Sequence, residues 1–196
     1  MDPLPAHTVN EALYYLRASA CPACGGGPQR VLGSPAPAAG EAFTLDTECA
    51  HCGARHAHGF VCEHAVPDAG PEAERINPTD EPSRVVDLAQ WVGLFYLLIE
   101  HASNETSRAG ARRTGYRAAL CLAEALKFYG DDELPPESAF FSDETRECFR
   151  QRPQSFTKQT LRDRQSKLPA LGAMAARITE DEDRRRQSKW WQFWRR

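Results

Sequence analysis

Cys21-Pro22-Ala23-Cys24-Gly25 and Cys49-Ala50-His51-Cys52-Gly53 are two copies of one short pattern, a pair of cysteines two residues apart followed by glycine. The two-residue gap lets both sulfurs of a pair reach one tetrahedral metal ion, and the glycine permits the sharp backbone turn that this requires. Two such knuckles in one chain imply a site of four thiolates, Cys21, Cys24, Cys49 and Cys52, holding one structural Zn2+. Four thiolates around a divalent cation carry a net charge of about −2. Backbone N–H groups in the knuckle turns, together with Arg30 or Arg55, are the expected compensation.

The segments around the knuckles read as short strands. Gln29 to Leu32 follows the first knuckle, and Gly33 to Gly40 is a Pro/Ala/Gly loop. Glu41 to Glu48 alternates Phe43, Leu45 and Thr47 with polar residues, as a half-buried strand does, and Arg55 to Cys62 gives a third strand. This order, from about Ser19 to His64, resembles the zinc-ribbon family, and the 24 residues between Cys24 and Cys49 fit its pattern. The resemblance covers about a quarter of the chain and implies structural zinc and a platform for protein or nucleic-acid contacts. It implies no single function. Rubredoxins also carry CPxCG knuckles, and they bind iron. Their compact aromatic core is not evident here, where Phe43 and Phe60 are the only phenyl rings from Ser19 to His64. Zinc is the favoured metal.

Outward from the knuckles the pattern becomes helical. Thr8-Val9-Asn10-Glu11 fits a capping box opening a helix to about Arg17. Pro67 to Pro82 holds four prolines and no large apolar residue except Ile76, and reads as a linker. Ser83 is the expected cap of a helix from Arg84 to about Ala102 that is apolar nearly all round and so belongs in the middle of a bundle. A second helix runs from about Glu105 to Tyr129 and stops at Gly130. Shorter helices are expected near Ser142 to Gln151 and Phe156 to Ser166, with another helical segment from Leu168 to Ile178. The fold class is therefore α+β, a small ribbon sheet followed by an α-helical bundle. Its expected parts are a ribbon domain with its leading helix (1–66), a linker (67–82), the bundle (83–178) and a charged, Trp-rich tail (179–196).

Other candidate sites are weaker. His56, His58, Phe60 and Cys62 share one strand face, but His58 and Cys62 would lie about 13 Å apart at roughly 3.3 Å per residue, too far for one ion. Imidazoles at the surface and a buried thiol are the simpler reading. Cys121 and Cys148 sit at helical positions beside apolar residues and read as core thiols. Arg108, Arg112, Arg113 and Arg117 crowd the start of the second helix, where its dipole disfavours positive charge. Pairing with Asp87, Glu100 or Glu105 would explain them, and so would contact with phosphate or nucleic acid. In the tail, Trp190, Trp191, Phe193 and Trp194 would line one helix face with Arg195 and Arg196 beside them. Such a surface calls for a cover: the bundle itself, a protein partner, or an anionic membrane interface.

Composition excludes little. The net charge of −3 divides unevenly, with 5 basic and 14 acidic residues up to Ser107 against 19 and 13 beyond it. No charged n-region precedes an apolar stretch at the amino terminus, so the cytoplasm is the expected compartment. The longest apolar run, Trp91 to Ile99, is about half a membrane span. Four thiolates leave no open position for water on the metal, and neither a glycine-rich phosphate loop nor a GxSxG elbow is present. The expectation is a non-enzymatic zinc-binding adaptor or protein-interaction module. A zinc-ribbon nucleic-acid binder and a peripheral membrane protein acting through the tail are the alternatives.

Overall fold

Thr8 opens the first helix by accepting a hydrogen bond from the Glu11 N–H, and α1 spans Val9–Ala18. The box is only half as expected. The Glu11 carboxylate reaches one residue further back, accepting from the backbone N–H of His7 and lying 3.1 Å from its Nδ1. Both side chains are buried. The computed structural model describes residues 2–33 and 35–194, with residues 187–194 described in backbone alone.

Four strands, β1 (Leu4–Ala6), β2 (Gln29–Leu32), β3 (Ala42–Cys49) and β4 (Arg55–Cys62), form one mixed sheet in the order β1-β4-β3-β2. The three expected strands lie where the alternation placed them, with β3 starting one residue later. The sequence reading did not include β1. It is a three-residue strand containing Pro5 that pairs parallel with β4, Leu4 opposite Phe60. The pairs β2–β3 and β3–β4 are antiparallel.

Among the described residues there are six helices: α1, α2 (Leu88–Asn104), α3 (Arg108–Leu126), α4 (Asp143–Gln151), α5 (Lys158–Ser166) and α6 (Leu171–Trp194). The α2 start corrects the expected one. Asp87 is the cap, in a reciprocal box with Gln90, while Ser83 instead accepts from Val85 N–H and Val86 N–H in the preceding turn. The helix is also not buried on every side, since Tyr96 and Leu97 are exposed. Ser107 caps α3, which ends in a 3-10 turn before Gly130 at φ +49°. Ser142 and Thr157 cap α4 and α5. The last helix, α6, runs well past the expected Ile178 and antiparallel to α3, with Met174 beside Gly115 and Asp181 beside Arg112.

The core is continuous across sheet and helices. Helix α1 makes the join through adjacent residues on different faces. Tyr15 meets Phe60 of the sheet edge-on at 5.8 Å, and Tyr14 meets the fully buried Trp91 of α2 at 5.7 Å. The Pro-rich stretch 67–82 is strapped across this join. It contains a 3-10 turn (Pro71–Glu74) and the buried Ile76. Thr8 donates to the Ile76 carbonyl and Asn10 to those of Ala73 and Arg75, while Lys127, just past α3, donates to those of Asn77 and Thr79. Lys127 also pairs with the buried Glu124 at 2.8 Å. Burial raises the Glu124 carboxyl to about 7 against the pull of Lys127.

Candidate metal centre

The knuckles meet because of strand register. The first precedes β2 and the second follows β3, and antiparallel pairing sets Gln29, at the start of β2, opposite Cys49, at the end of β3. Gln29 fastens the junction. Its buried side chain donates to the carbonyls of Ser19 and Ala20 and accepts from Thr47 of β3 at 2.9 Å.

The two knuckles are alike in detail. Gly25 N–H donates to the Cys21 carbonyl at 2.8 Å, and Gly53 N–H to the Cys49 carbonyl at 2.9 Å. Cys21 N–H returns to Gly26 O at 2.7 Å, and Cys49 N–H to Ala54 O at 2.9 Å. Both closing glycines have positive φ, +67° and +72°. This is the left-handed region, open to glycine at no steric cost. In each knuckle the first cysteine is buried and the second exposed.

All four sulfurs lie within 4.8 Å of one another. Cys21 Sγ is 3.8 Å from Cys52 Sγ, and Cys24 Sγ is 3.8 Å from Cys49 Sγ. All seven cysteines are free thiols. A tetrahedron of sulfurs at roughly 2.3 Å from a central zinc has edges of about 3.8 Å, so the donor set fits a tetrahedral, thiophilic ion. The surroundings suit the negative charge as well. The N–H groups of Cys52 and His51 are directed at Cys49 and pull its thiol down to about 6, against desolvation. The Gly26 N–H acts likewise on Cys24, but there the Cys52 sulfur leads the groups that outweigh it and leave this thiol near 12.

The backbone compensation is in place, but the arginine compensation is not. Arg30 and Arg55 both pair with Glu48, at 2.7 and 3.1 Å. Physically, a carboxylate directly across the sheet is a nearer partner for both than the sulfurs. The imidazole beside the cluster is His56, whose Nε2 lies 3.6 Å from Cys21 Sγ. Protonated at that nitrogen, it donates to the thiolate. Sequence reasoning placed His56 on the Phe60 face and missed this role. The signal was its register, since β4 begins directly after the second knuckle. His58 turns to Thr47 at 3.2 Å, and burial lowers its pKa. Cys62 is buried, and desolvation pushes its thiol to about 12, as suits a core side chain.

The remaining candidate residues are scattered. Arg117 pairs with Glu74 at 2.6 Å. Arg113 bridges Glu74 and Glu182, and Arg112 lies 3.4 Å from Asp181. The partners come from the strap and α6 rather than from Asp87, Glu100 or Glu105, because Asp87 is committed to capping and α6 lies along this face of α3. Arg108 is exposed, with no carboxylate partner among the described residues. Cys121 is buried, whereas Cys148 is only half-buried and accepts from Arg152 at 3.5 Å. The side chains of Trp190, Trp191, Phe193 and Trp194, and the whole of Arg195 and Arg196, lie outside the described residues. Among the described residues no helix is long and apolar enough to cross a membrane.

No protein-family model matches the chain, nor does any curated protein or solved structure. What can be said of its class rests on the fold and the site: an α+β protein with a four-cysteine cluster arranged for one metal ion.

Proposed function

We propose that this chain is a non-enzymatic, zinc-stapled interaction module, with a ribbon-type zinc segment docked on a helical bundle that presents the binding surface. The closed cluster carries this reading. Four sulfurs at tetrahedral spacing leave no coordination position for water or substrate, so the metal's role is to hold the fold. The all-thiolate set suits zinc and iron alike, and zinc is favoured by the sparse aromatic surroundings of the knuckles. Seven free thiols suit a reducing compartment such as the cytoplasm.

The nucleic-acid alternative loses ground because three of the four clustered arginines already face carboxylates, leaving little unpaired basic surface on α3. The tail remains a candidate docking element, through Trp190, Trp191, Phe193, Trp194, Arg195 and Arg196, to a protein or an anionic membrane. The reading is tested by reconstitution. Proteins cross-linked to the full chain in extract are purified and mixed with it, and light scattering reports complex size. A partner that forms a stoichiometric complex with the zinc-loaded chain supports the module. A chain that forms none, or that turns over a substrate at the cluster, contradicts it.

A further inference from the structure

Helix α2 leaves one face only partly covered. Ala89, Gly93, Tyr96 and Leu97 follow the spacing of a single helix face. Gly93, Tyr96 and Leu97 are exposed, the last two at 47% and 43%. Beside this face runs a groove of about 450 Å³ with a floor of Ala89, Val92, Gly93 and Phe156. Its rim is positive. Arg152 and Arg164 line it from the two sides of the α4–α5 connection, and neither has a carboxylate partner among the described residues. Among the described residues no acidic one lines the groove.

The two guanidinium groups are held in place without being neutralised. Arg164 lies over the Tyr96 ring at 5.0 Å and donates from Nη1 to the Ser155 carbonyl at 3.3 Å. Stacking occupies its face and leaves its remaining N–H edge free for the paired oxygens of a carboxylate. Arg152 rests on the Cys148 sulfur. The contrast with α3 is sharp, since Arg112, Arg113 and Arg117 each have an acid within the fold.

Gly93 points the same way. An interior helical glycine costs about 1 kcal/mol relative to alanine, and nothing in this fold requires it. Its φ is not positive, and an added Cβ would meet no atom within 4 Å. A missing side chain at the floor of an open groove lets another backbone approach closely.

We propose that this groove, bounded by Gly93, Tyr96, Arg152 and Arg164, binds an acidic amphipathic helical segment of a protein partner. An aliphatic side chain would enter over Gly93, and carboxylates would meet the two arginines. This rests on the interaction-module reading and gives it a surface and a partner chemistry.

The test is a nitrogen-15 NMR titration of the full zinc-loaded chain. The probe is a synthetic helical peptide with leucines on one face and glutamates on the other, beside its glutamine-for-glutamate counterpart. Saturable shifts at the amides of Ala89, Gly93, Tyr96 and Arg152 are expected, with affinity at least about tenfold weaker for the glutamine peptide. The Arg152→Glu/Arg164→Glu double variant should show a similar loss. Gly93→Glu, whose Cβ meets no neighbour and whose carboxylate would occupy the groove and face the two arginines, should show it too. Absent binding, equal affinity for both peptides, or affinity unchanged in these variants overturns the proposal. So does self-association of the chain through the same amides, which makes a second copy the occupant. A failure here, beside a stoichiometric complex in the reconstitution, removes the groove and leaves the module. Failure of the reconstitution removes the module itself.

Discussion

From Ser19 to His64 the only large apolar side chains fully buried are Leu45 and Phe60, whereas from Val85 to Tyr129 the helices bury Trp91, Leu88, Leu94, Phe95, Leu98, Leu122, Phe128 and Tyr129. Burying an aliphatic or phenyl side chain contributes about 1.5–3 kcal/mol. The helical region has enough such groups to order itself, and three strands with two do not. The metal cluster stands where the second core would be. One chain thus uses two different means of stabilisation, joined at α1, where Tyr15 faces the sheet and Tyr14 the bundle.

The largest expected effect separates the regions by removing the staple. Cys49→Ser, or chelation of the zinc-loaded protein, should abolish hydrogen-exchange protection in β2, β3 and both knuckles while α2 and α3 keep theirs. Equal loss in both regions would make them one cooperative unit and break the comparison.

Next is Trp91, the residue on which α1 closes. Trp91→Ala should cost about 3–5 kcal/mol in denaturant unfolding. Trp91→Phe should cost much less, since the indole Nε1 is buried without a partner and its loss removes an unsatisfied donor. If the phenylalanine variant is as damaging as the alanine one, packing at this contact has been misjudged.

A smaller effect lies in pH. Glu124 rises from 4.5 to about 7 in the fold through burial, and His7 rises above 6.5, chiefly through its hydrogen bond to Glu11. Both groups hold their proton more tightly in the folded chain than in the unfolded one. Their contribution is therefore present at low pH and lost as pH rises through the folded values. With zinc saturating, stability should fall as pH rises from about 4.5 to about 7. Glu124→Gln should flatten that fall by an amount on the order of 2 kcal/mol. Parallel slopes for the variant and the native chain would place the proton elsewhere.

The smallest effects have opposite signs. Gly53→Ala, forced to φ +72° in the second knuckle, should destabilise by about 1 kcal/mol. Gly93→Ala in α2 should stabilise by about 0.5–1 kcal/mol, because the helix gains a better former and the new Cβ meets nothing. Thermal unfolding of the two variants side by side checks both, and a shared sign would contradict the roles given to these glycines.

The cluster and three strands were legible in the sequence because their signals are local: fixed cysteine spacing, a following glycine, period-two alternation. What escaped was set by distant partners. Leu4-Pro5-Ala6 is too short and too proline-marked to read as a strand, and only the free edge of β4 makes it one. Ser83 and Asp87 are equally good caps by residue type, and the choice depends on where α2 meets the Phe141 N–H, which Asp87 also accepts. Proline content marked 67–82 as a linker, but Ile76 and the hydrogen bonds from Thr8 and Asn10 tie it down. The α2–α5 groove was illegible because its arginines follow Tyr96 by more than fifty residues and share no pattern with it.

Elemental analysis of freshly purified, reduced protein tests the central claim most directly. One zinc per chain in the native protein, and none in a Cys24→Ser/Cys52→Ser variant, is the predicted result. Protein that is metal-free yet keeps hydrogen-exchange protection in β2 and β3 would contradict it, because a sheet with two buried large side chains would then be standing without its staple.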